Sequence, residues 1–518
     1  MSKRLRARLL AAVFSVGAAA AVTPASAETL ADAIAQAYAN NPTLQAQRAT
    51  QRALDENYVQ ARTGWRPTLS LSGQWGYSES RTPSAAVAVV DQNGDGIPDP
   101  RQSDGISDFG SSRVQLTFSQ PIWTGGRVSA AVTAANADVL QGRENLRRVE
   151  AQVLGAVIQA YVDVRRDTEA LRIQQENVAV LQRQLQESQA RFDVGEVTRT
   201  DVAQSQARLA QSQAQLQSTQ AQLAISRASY AALVGHNPTE LEPEPSLAYL
   251  LPGNVDDAFN IAEANSPLLR AQQFAEMASR ARVAGARAER MPNVSLNSTL
   301  SFAGGSLTPF ERELYSRNTT TSVTVQVPLF SGGLVSSRVR QAVERNNADR
   351  ITIETQRRSV LQSISQFWNQ LLASRANIAS TDEQVRAARI AAEGTRQEQQ
   401  VGLRTTLDVL NAEQELRSAQ LNQVNARRDE YVAAASVLST MGRLEAKNLT
   451  PSQAQYDPRA NFRRLRMTWG WVPWEEPIGV IDRLLTIAPA PAVNARPTEV
   501  PIPPGLQPPP SQAATAAR

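Results

Sequence analysis

The sequence predicts a mainly α-helical chain with four β-strands suited to a membrane β-barrel that no single copy can close. Three observations carry this. The chain is duplicated internally. Each half contains a proline-free helical stretch of 65 residues. Each half also contains one hairpin whose strands are apolar on a single face.

The duplication is read from short matches. "VGEVTRTDV" (Val194–Val202) matches "VGLRTTLDV" (Val401–Val409), and "QPIWTGG" (Gln120–Gly126) matches "VPLFSGG" (Val327–Gly333). Val234-Gly235 likewise matches Met441-Gly442, and all three pairs are offset by 207. Upstream, "NPTLQAQ" (Asn41–Gln47) matches "SPLLRAQ" (Ser266–Gln272), and "RPTLSL" matches "MPNVSL", both offset by 225. The difference, 225 − 207, places 18 extra residues between Pro67 and Pro121. A repeat of this length means two copies of one large structural unit, residues 28–240 and 241–450.

Lys3, Arg4, Arg6 and Arg8 precede an apolar run from Leu9 to Val22, and Ala25-Ser26-Ala27 offers small residues for cleavage. Residues 1–27 therefore read as a secretory signal peptide, with the mature chain expected from Glu28. The chain has 53 Lys+Arg and 49 Asp+Glu, and four of the basic residues lie in that leader, so 53 − 4 leaves 49 against 49. That balance gives no case for a nucleic-acid partner. With no cysteine, disulfide scaffolds, thiol chemistry and an N-terminal lipid-anchored cysteine are excluded.

Alternation marks the strands. Leu69, Leu71, Gly73, Trp75 and Tyr77 alternate with Thr68, Ser70, Ser72, Gln74 and Gly76. Val114, Leu116 and Phe118 alternate with polar neighbours, as do Val294, Leu296, Leu300 and Phe302, and Val323, Val325 and Val327. The hairpins span 67–121 and 292–328, with a proline at each base. A half-buried sheet in a soluble domain fits this pattern. A transmembrane sheet fits it too, and open edges in lipid then require several chains to share one barrel.

Val128 to Phe192 and Val335 to Gln399 lack proline, and each spans roughly 100 Å if helical throughout. Leu171, Val178, Leu185 and Phe192 recur every seven residues, as do Val202, Leu209, Leu216, Leu223 and Tyr230. Such narrow seams on a polar helix predict coiled-coil packing. Helices Asp201–Val234 and Asp256–Arg290 supply a return path of matching length, and Leu30–Gly64 can pair with Leu407–Gly442. Gly195 and Gly402 break the helices where the chain reverses, with Thr200 or Thr406 expected to cap the helices that restart. Residues 451–518 hold 13 of the 28 prolines and read as a largely disordered extension, in which Trp469–Pro477 is expected to dock as a satellite.

"FDVGEVTRTDV", "QVGLRTTLDVL", "PIWTGG" and "PLFSGG", in this order and spacing, resemble the TolC-type outer-membrane channels of efflux pumps and type I secretion systems. The likeness covers about residues 28–450. It implies a homotrimer with a shared twelve-stranded barrel in outer-membrane lipid and a long periplasmic α-helical tunnel. It implies a periplasmic adaptor (membrane fusion protein), an inner-membrane transporter of ABC or RND type, and secreted-protein or drug cargo. Val194, Gly195, Val401, Gly402 and Leu403 then fall at the adaptor-contacting tips. In members that close this end, a tyrosine and an arginine of the second tip bond to the first. The matching positions are Arg404, Asp201 and Thr200, with Gln399 where the tyrosine stands. The two acidic constriction positions correspond to Asp408 and Asn411. A ring of Asp408 carboxylates favours cations.

No enzyme is expected. One histidine, His236, reads as a residue at a helix end, and the glycine pairs at 125–126 and 332–333 match turns rather than phosphate loops. The expected function is an exit channel for type I protein secretion. The alternatives are a drug-efflux channel and a periplasmic coiled-coil scaffold. The one cofactor the sequence offers is calcium, in "DQNGDGIPD". Asp91, Asn93, Asp95 and Asp99 match ligand positions 1, 3, 5 and 9 of a calcium loop, though Gln102 stands where a bidentate Glu is needed. A plain Asx- and Gly-rich turn fits the same residues.

Overall fold

The computed structural model describes residues 27–81, 106–305, 315–451, 453–465 and 472–484. The four calcium-type residues Asp91, Asn93, Asp95 and Asp99 lie outside the described residues. The first repeat runs α1 (Leu30–Asn40), α2 (Pro42–Arg62), β1 (Thr68–Arg81), β2 (Ile106–Trp123), α3 (Arg127–Asp193) and α4 (Arg199–Val234). The second runs α5 (Val255–Asn265), α6 (Pro267–Ala288), β3 (Asn293–Gly304), β4 (Tyr315–Gln326), α7 (Leu334–Gln400) and α8 (Thr406–Thr440). Three short helices follow: α9 (Ala446–Leu449), α10 (Ala460–Leu465) and α11 (Glu475–Leu484).

The two long helices, α3 and α7, are each 67 residues. They are therefore roughly 100 Å long. Each starts after a glycine pair in the left-handed region, Gly125-Gly126 (φ 66 and 85) and Gly332-Gly333 (φ 60 and 82). A residue with a Cβ is strained there, so these pairs fix the turn from strand to helix.

The shorter helices are not all continuous as expected. The stretch Leu30–Gly64 is broken at Asn41-Pro42, and Asp256–Arg290 at Ser266-Pro267. Proline lacks the N–H that would continue the helix, and it pushes the preceding residue towards extended backbone. Asn41 sits at φ −62 and ψ 124, and its Oδ1 accepts from the backbone of Thr43 at 3.0 Å, restarting the helix as α2.

The strands form one antiparallel sheet in the order β1-β2-β3-β4. Cross-strand partners share a face. One row contains Ser72, Gln115, Ser301 and Asn318, and the next but one contains Ser70, Thr117, Thr299 and Thr320. Between them, on the opposite face, lie Leu71, Leu116 and Leu300. Leu69, Leu71, Trp75 and Tyr77 of β1 and Val323 and Val325 of β4 are exposed. Across β1 to β3 the sheet is thus polar on one face and largely apolar on the other, while on β4 Val323 and Val325 continue the apolar face and Arg317, Thr319 and Thr321 interrupt it. Its outer strands, β1 and β4, leave an unclosed barrel.

A compact core sits midway along the long helices. Leu30 and Ile34 of α1, Leu154, Ile158 and Tyr161 of α3, Tyr230 of α4, Ile364 and Leu371 of α7 and Leu438 of α8 are buried together. Glu28 is drawn into this core. Tyr230 donates its hydroxyl to Glu28 Oε1 at 2.6 Å, and Tyr161 Oη lies 2.9 Å from the Glu28 carbonyl. His236, just past the end of α4, lies 3.2 Å from Glu28 Oε2. Burial pushes the Tyr161 phenol up to about 12.

Towards the tip, α3 pairs with α4 and α7 with α8. On α4, Leu223 and Tyr230 are buried as the heptads predict, but Val202, Leu209 and Leu216 are only half-buried. The tighter seam runs three residues later, through Ser205, Ser212 and Ser226. Gln174 Nε2 donates to Ser212 Oγ at 2.9 Å, and the Ser188 and Ser205 hydroxyls lie 3.2 Å apart. Small hydroxyl side chains let the backbones approach while satisfying one another.

The expectation that residues 451–518 are largely disordered fails for their first part. Tyr456 donates its N–H to Tyr38 Oη at 3.0 Å, with the Arg48 guanidinium 4.5 Å from one ring centroid and 4.9 Å from the other. Asn461 donates to Asp55 at 2.9 Å, and the Phe462 ring packs 5.0 Å from Tyr58. These contacts recur along one face of α2 and carry the chain back to the foot of the sheet. There Glu475 accepts from Arg62 at 2.7 Å and from Arg66. Of the satellite expected at Trp469–Pro477, residues 469–471 lie outside the described residues, and Val472 and Glu475 are buried.

Candidate functional site at the helical tip

The tip is made by two turns of the same construction. At the end of α3, Gly195 adopts φ 79, its N–H donates to Phe192 O and that of Glu196 to Arg191 O, both at 2.9 Å. At the end of α7, Gly402 adopts φ 82, its N–H donates to Gln399 O at 3.0 Å and that of Leu403 to Glu398 O at 2.9 Å. A left-handed glycine with this pair of bonds satisfies the last helical carbonyls and reverses the chain.

The restarting helices are capped by Thr198 and Thr405, not by the expected Thr200 and Thr406. Asp201 Oδ2 accepts from the Thr198 N–H at 2.9 Å and its hydroxyl at 2.7 Å. Asp408 Oδ2 does the same for Thr405, at 3.0 and 2.8 Å. Each threonine hydroxyl in turn accepts the aspartate N–H, which closes a capping box. The aspartate three residues on selects the cap. Thr200 is exposed in the first turn of α4. Thr406 is buried, and its hydroxyl lies 3.5 Å from Gln399 Nε2.

Asp201 and Arg404 are therefore each held within their own turn. Arg404 Nε donates to Glu398 Oε2 at 2.9 Å, and that carboxylate holds the guanidinium above its ordinary range. The Thr405 hydroxyl and N–H hold the Asp408 carboxyl below its ordinary range, with Arg404 adding to the shift. Val194, Val401 and Leu403 stand exposed at the extremity. The two tips thus present an apolar surface flanked by fixed charges.

Near the tip, a side-chain contact joins the two helical hairpins. Arg208 on α4 reaches across to α8, donating to Gln414 Oε1 at 2.7 Å and to Asn411 Oδ1 at 3.3 Å. Asn411 is thus placed at this crossing. Arg417 lies beside it, held below the ordinary guanidinium range by burial and by the neighbouring Arg208 charge. Sequence reasoning missed Arg208. A signal was present: it is the only charged residue between Asp201 and Arg227 in an Ala- and Gln-rich helix.

Among the described residues no cluster of three His, Asp or Glu side chains is placed to hold a metal ion. No described helix is long and apolar enough to cross a membrane.

Comparison with known proteins places these features. The model of the family "Outer membrane efflux protein" matches residues 33–236 and 258–443. The matched segments start 225 residues apart (258 − 33) and end 207 apart (443 − 236), the offsets of the internal duplication. The chain is 32% identical over 468 residues to outer membrane efflux protein BepC of Brucella suis, covering 90% of this chain and 97% of that one. It is 28% identical over 306 residues to alkaline protease secretion protein AprF of Pseudomonas aeruginosa, covering 58% and 63%. Among solved structures, the outer-membrane channel OprN superposes with a TM-score of 0.67 at 20% identity, over 80% of this chain and 89% of that one. At that identity the likeness speaks for the fold.

Proposed function

The chain belongs to the outer membrane efflux protein family, and from that premise we propose that it is the homotrimeric exit duct of a tripartite export system. The outer-membrane location and the channel character follow from the family itself. The observation that carries the trimer is the four-stranded sheet, polar on one face, largely apolar on the other and open at β1 and β4. Open edges are not tolerated in lipid. Three copies of four strands make twelve, and β4 of one copy closes onto β1 of the next.

The duplication supports the same assembly. Within one chain the Gly125 turn packs so closely on Met291 that any side chain at 125 would collide with it. The offsets 207 and 225 carry this contact to Gly332 and to Arg66 of the neighbouring copy. Leu329 and Phe330, 92% and 90% exposed in one chain, stand just before this turn, where the proposed neighbour would meet them.

In this reading the tips are the inner gate. Arg404, Asp201 and Thr200 act between hairpins, Asp408 and Asn411 ring the entrance, and Val194, Gly195, Val401, Gly402 and Leu403 meet a periplasmic adaptor linked to an inner-membrane transporter. The likeness to AprF supports type I protein secretion as the route served. A second reading, small-molecule efflux, is favoured by the match to BepC, which spans far more of the chain. Deleting the gene separates them: loss of extracellular proteins supports secretion, and gained drug sensitivity supports efflux. Recovery of the chain as a soluble periplasmic pool, with no heat-sensitive trimer in the outer membrane, would sink the duct altogether.

A further inference from the structure

The helix α11 is built inside out. Two of its three acidic residues, Glu475 and Asp482, are completely buried and Glu476 is exposed, while Trp474, just before the helix, and Val480 and Ile481 on it are 48%, 45% and 38% exposed. A helix docked on a protein in water does the reverse, burying its apolar stripe. Here the inward face is an anion plug. Asp482 Oδ1 accepts from the Thr124 N–H at 2.8 Å, its hydroxyl at 2.9 Å and the Gly126 N–H at 3.2 Å. Asp482 Oδ2 accepts from Trp65 Nε1 at 3.4 Å. These groups form the turn from β2 into α3, where the positive end of the helix dipole favours a carboxylate. Glu475 is likewise spent on Arg62 and Arg66. No acid at these two positions is left to face outwards.

From this arrangement we infer that α11 lies against the periplasmic leaflet of the outer membrane, with Trp474, Val480 and Ile481 in contact with phospholipid. The helix sits on the turn where the barrel strands meet the helices, which is the level of the membrane surface once the sheet is inserted. Leu69 and Leu71 are exposed on β1, the strand that follows Trp65, and Trp65 donates to Asp482 of α11. Tryptophan is the side chain favoured at that depth. An amphipathic helix held at the interface with its apolar face towards lipid fits the pattern. The rival occupant is a second copy. The duplication assigns the exposed Leu329 and Phe330 of a neighbour to the Arg66 turn, beside Glu475 of α11, so the test has to separate lipid from a second copy on the outer face. The inference rests on the outer-membrane duct reading, because lipid reaches α11 only if the sheet is inserted.

The absence of cysteine makes the test clean. Single spin labels are placed by I481C and V480C on α11, by V323C on the barrel strand β4 and by I390C on exposed α7. Each full-length protein is reconstituted in vesicles of phosphatidylethanolamine and phosphatidylglycerol. Collision with oxygen, which partitions into lipid, is compared with collision with a water-soluble nickel chelate. We expect the oxygen-to-nickel ratio at 480 and 481 to match that at 323 and to exceed that at 390 severalfold. A ratio at 480 and 481 equal to that at 390 places α11 in water and overturns the inference. Shielding from both reagents means that protein covers the stripe, which also overturns it. A low ratio at 323 as well is the separate result that removes the duct reading itself.

Discussion

Arg208 Nη1 on α4 donates to Gln414 Oε1 on α8 at 2.7 Å, and this bond fastens the first tip hairpin to the second. Its acceptors are neutral amides but its donor is a charged guanidinium, so the bonds of this clasp are charge-assisted, a class worth about 1.5–3 kcal/mol, weakened here by exposure to water. In the proposed trimer, three copies of such a clasp are enough to bias a two-state tip without locking it. Replacing Arg208 with Ala is expected to raise single-channel conductance in planar bilayers while leaving the melting temperature of the trimer nearly unchanged. Unaltered conductance would remove Arg208 from the gate.

Arg404→Ala tests the gate residues carried by the resemblance. Within one chain Arg404 is satisfied by Glu398 at 2.9 Å, on an exposed turn. If it also restrains the neighbouring hairpin through Asp201, the variant opens more often, and a double variant with Asp201→Ala adds little further. Full additivity of the two changes indicates that they act apart.

The caps give a contrast between adjacent threonines. Thr198→Ala and Thr405→Ala each remove a capping box and are expected to cost about 1 kcal/mol. Thr200→Ala, in the exposed first turn, is expected to be close to neutral. Chemical denaturation of the four proteins, Thr406→Ala included, ranks them. A larger loss at Thr200 than at Thr198 contradicts the assignment.

The second cap also predicts a pH response. The Asp408 carboxyl is held below its ordinary value by the Thr405 hydroxyl and N–H. A depressed folded value means that the box stabilises α8 fully above the ordinary carboxylate value. That contribution is lost as pH falls through the lower folded value. Amide exchange in the first turn of α8, corrected for the intrinsic rate, is expected to accelerate in that acid window. The window disappears in Asp408→Asn.

Asp482→Ala leaves the N–H groups of Thr124 and Gly126 buried without their acceptor. Each such loss costs about 1–3 kcal/mol. Glu475→Gln leaves Arg62 and Arg66 without their buried carboxylate, a class of change that costs about 3–5 kcal/mol. Both variants are expected to lower the temperature at which the proposed trimer dissociates in detergent gels. Truncation after residue 450 should produce the same loss, whereas truncation after 484 should not.

Much of the architecture is determined by sequence alone. Alternation over 68–77 and 113–119, the proline-free stretches and the paired offsets are local or periodic properties, and the chain expresses them without needing a partner. The long helices begin and end within a residue or so of the expected limits, because Gly126, Gly195, Gly333 and Gly402 punctuate them. The tip turns were legible for the same reason. The right cap was legible too, in the aspartate three residues after Thr198 and Thr405, although the nearer threonines draw the eye.

Tertiary structure decided what depended on distant partners. Ser205 and Ser212 look like solvated helix residues until Ser188 and Gln174 are brought opposite them. Glu475 and Asp482 read as surface charges on a proline-rich tail. They become buried anchors only because folding delivers Arg62, Arg66 and the Thr124–Gly126 turn, more than 350 residues earlier, to the same place. Periodicity reports which face of an element is apolar. It does not report which buried donor, far away in the chain, makes a carboxylate worth burying, and that depends on the three-dimensional fold.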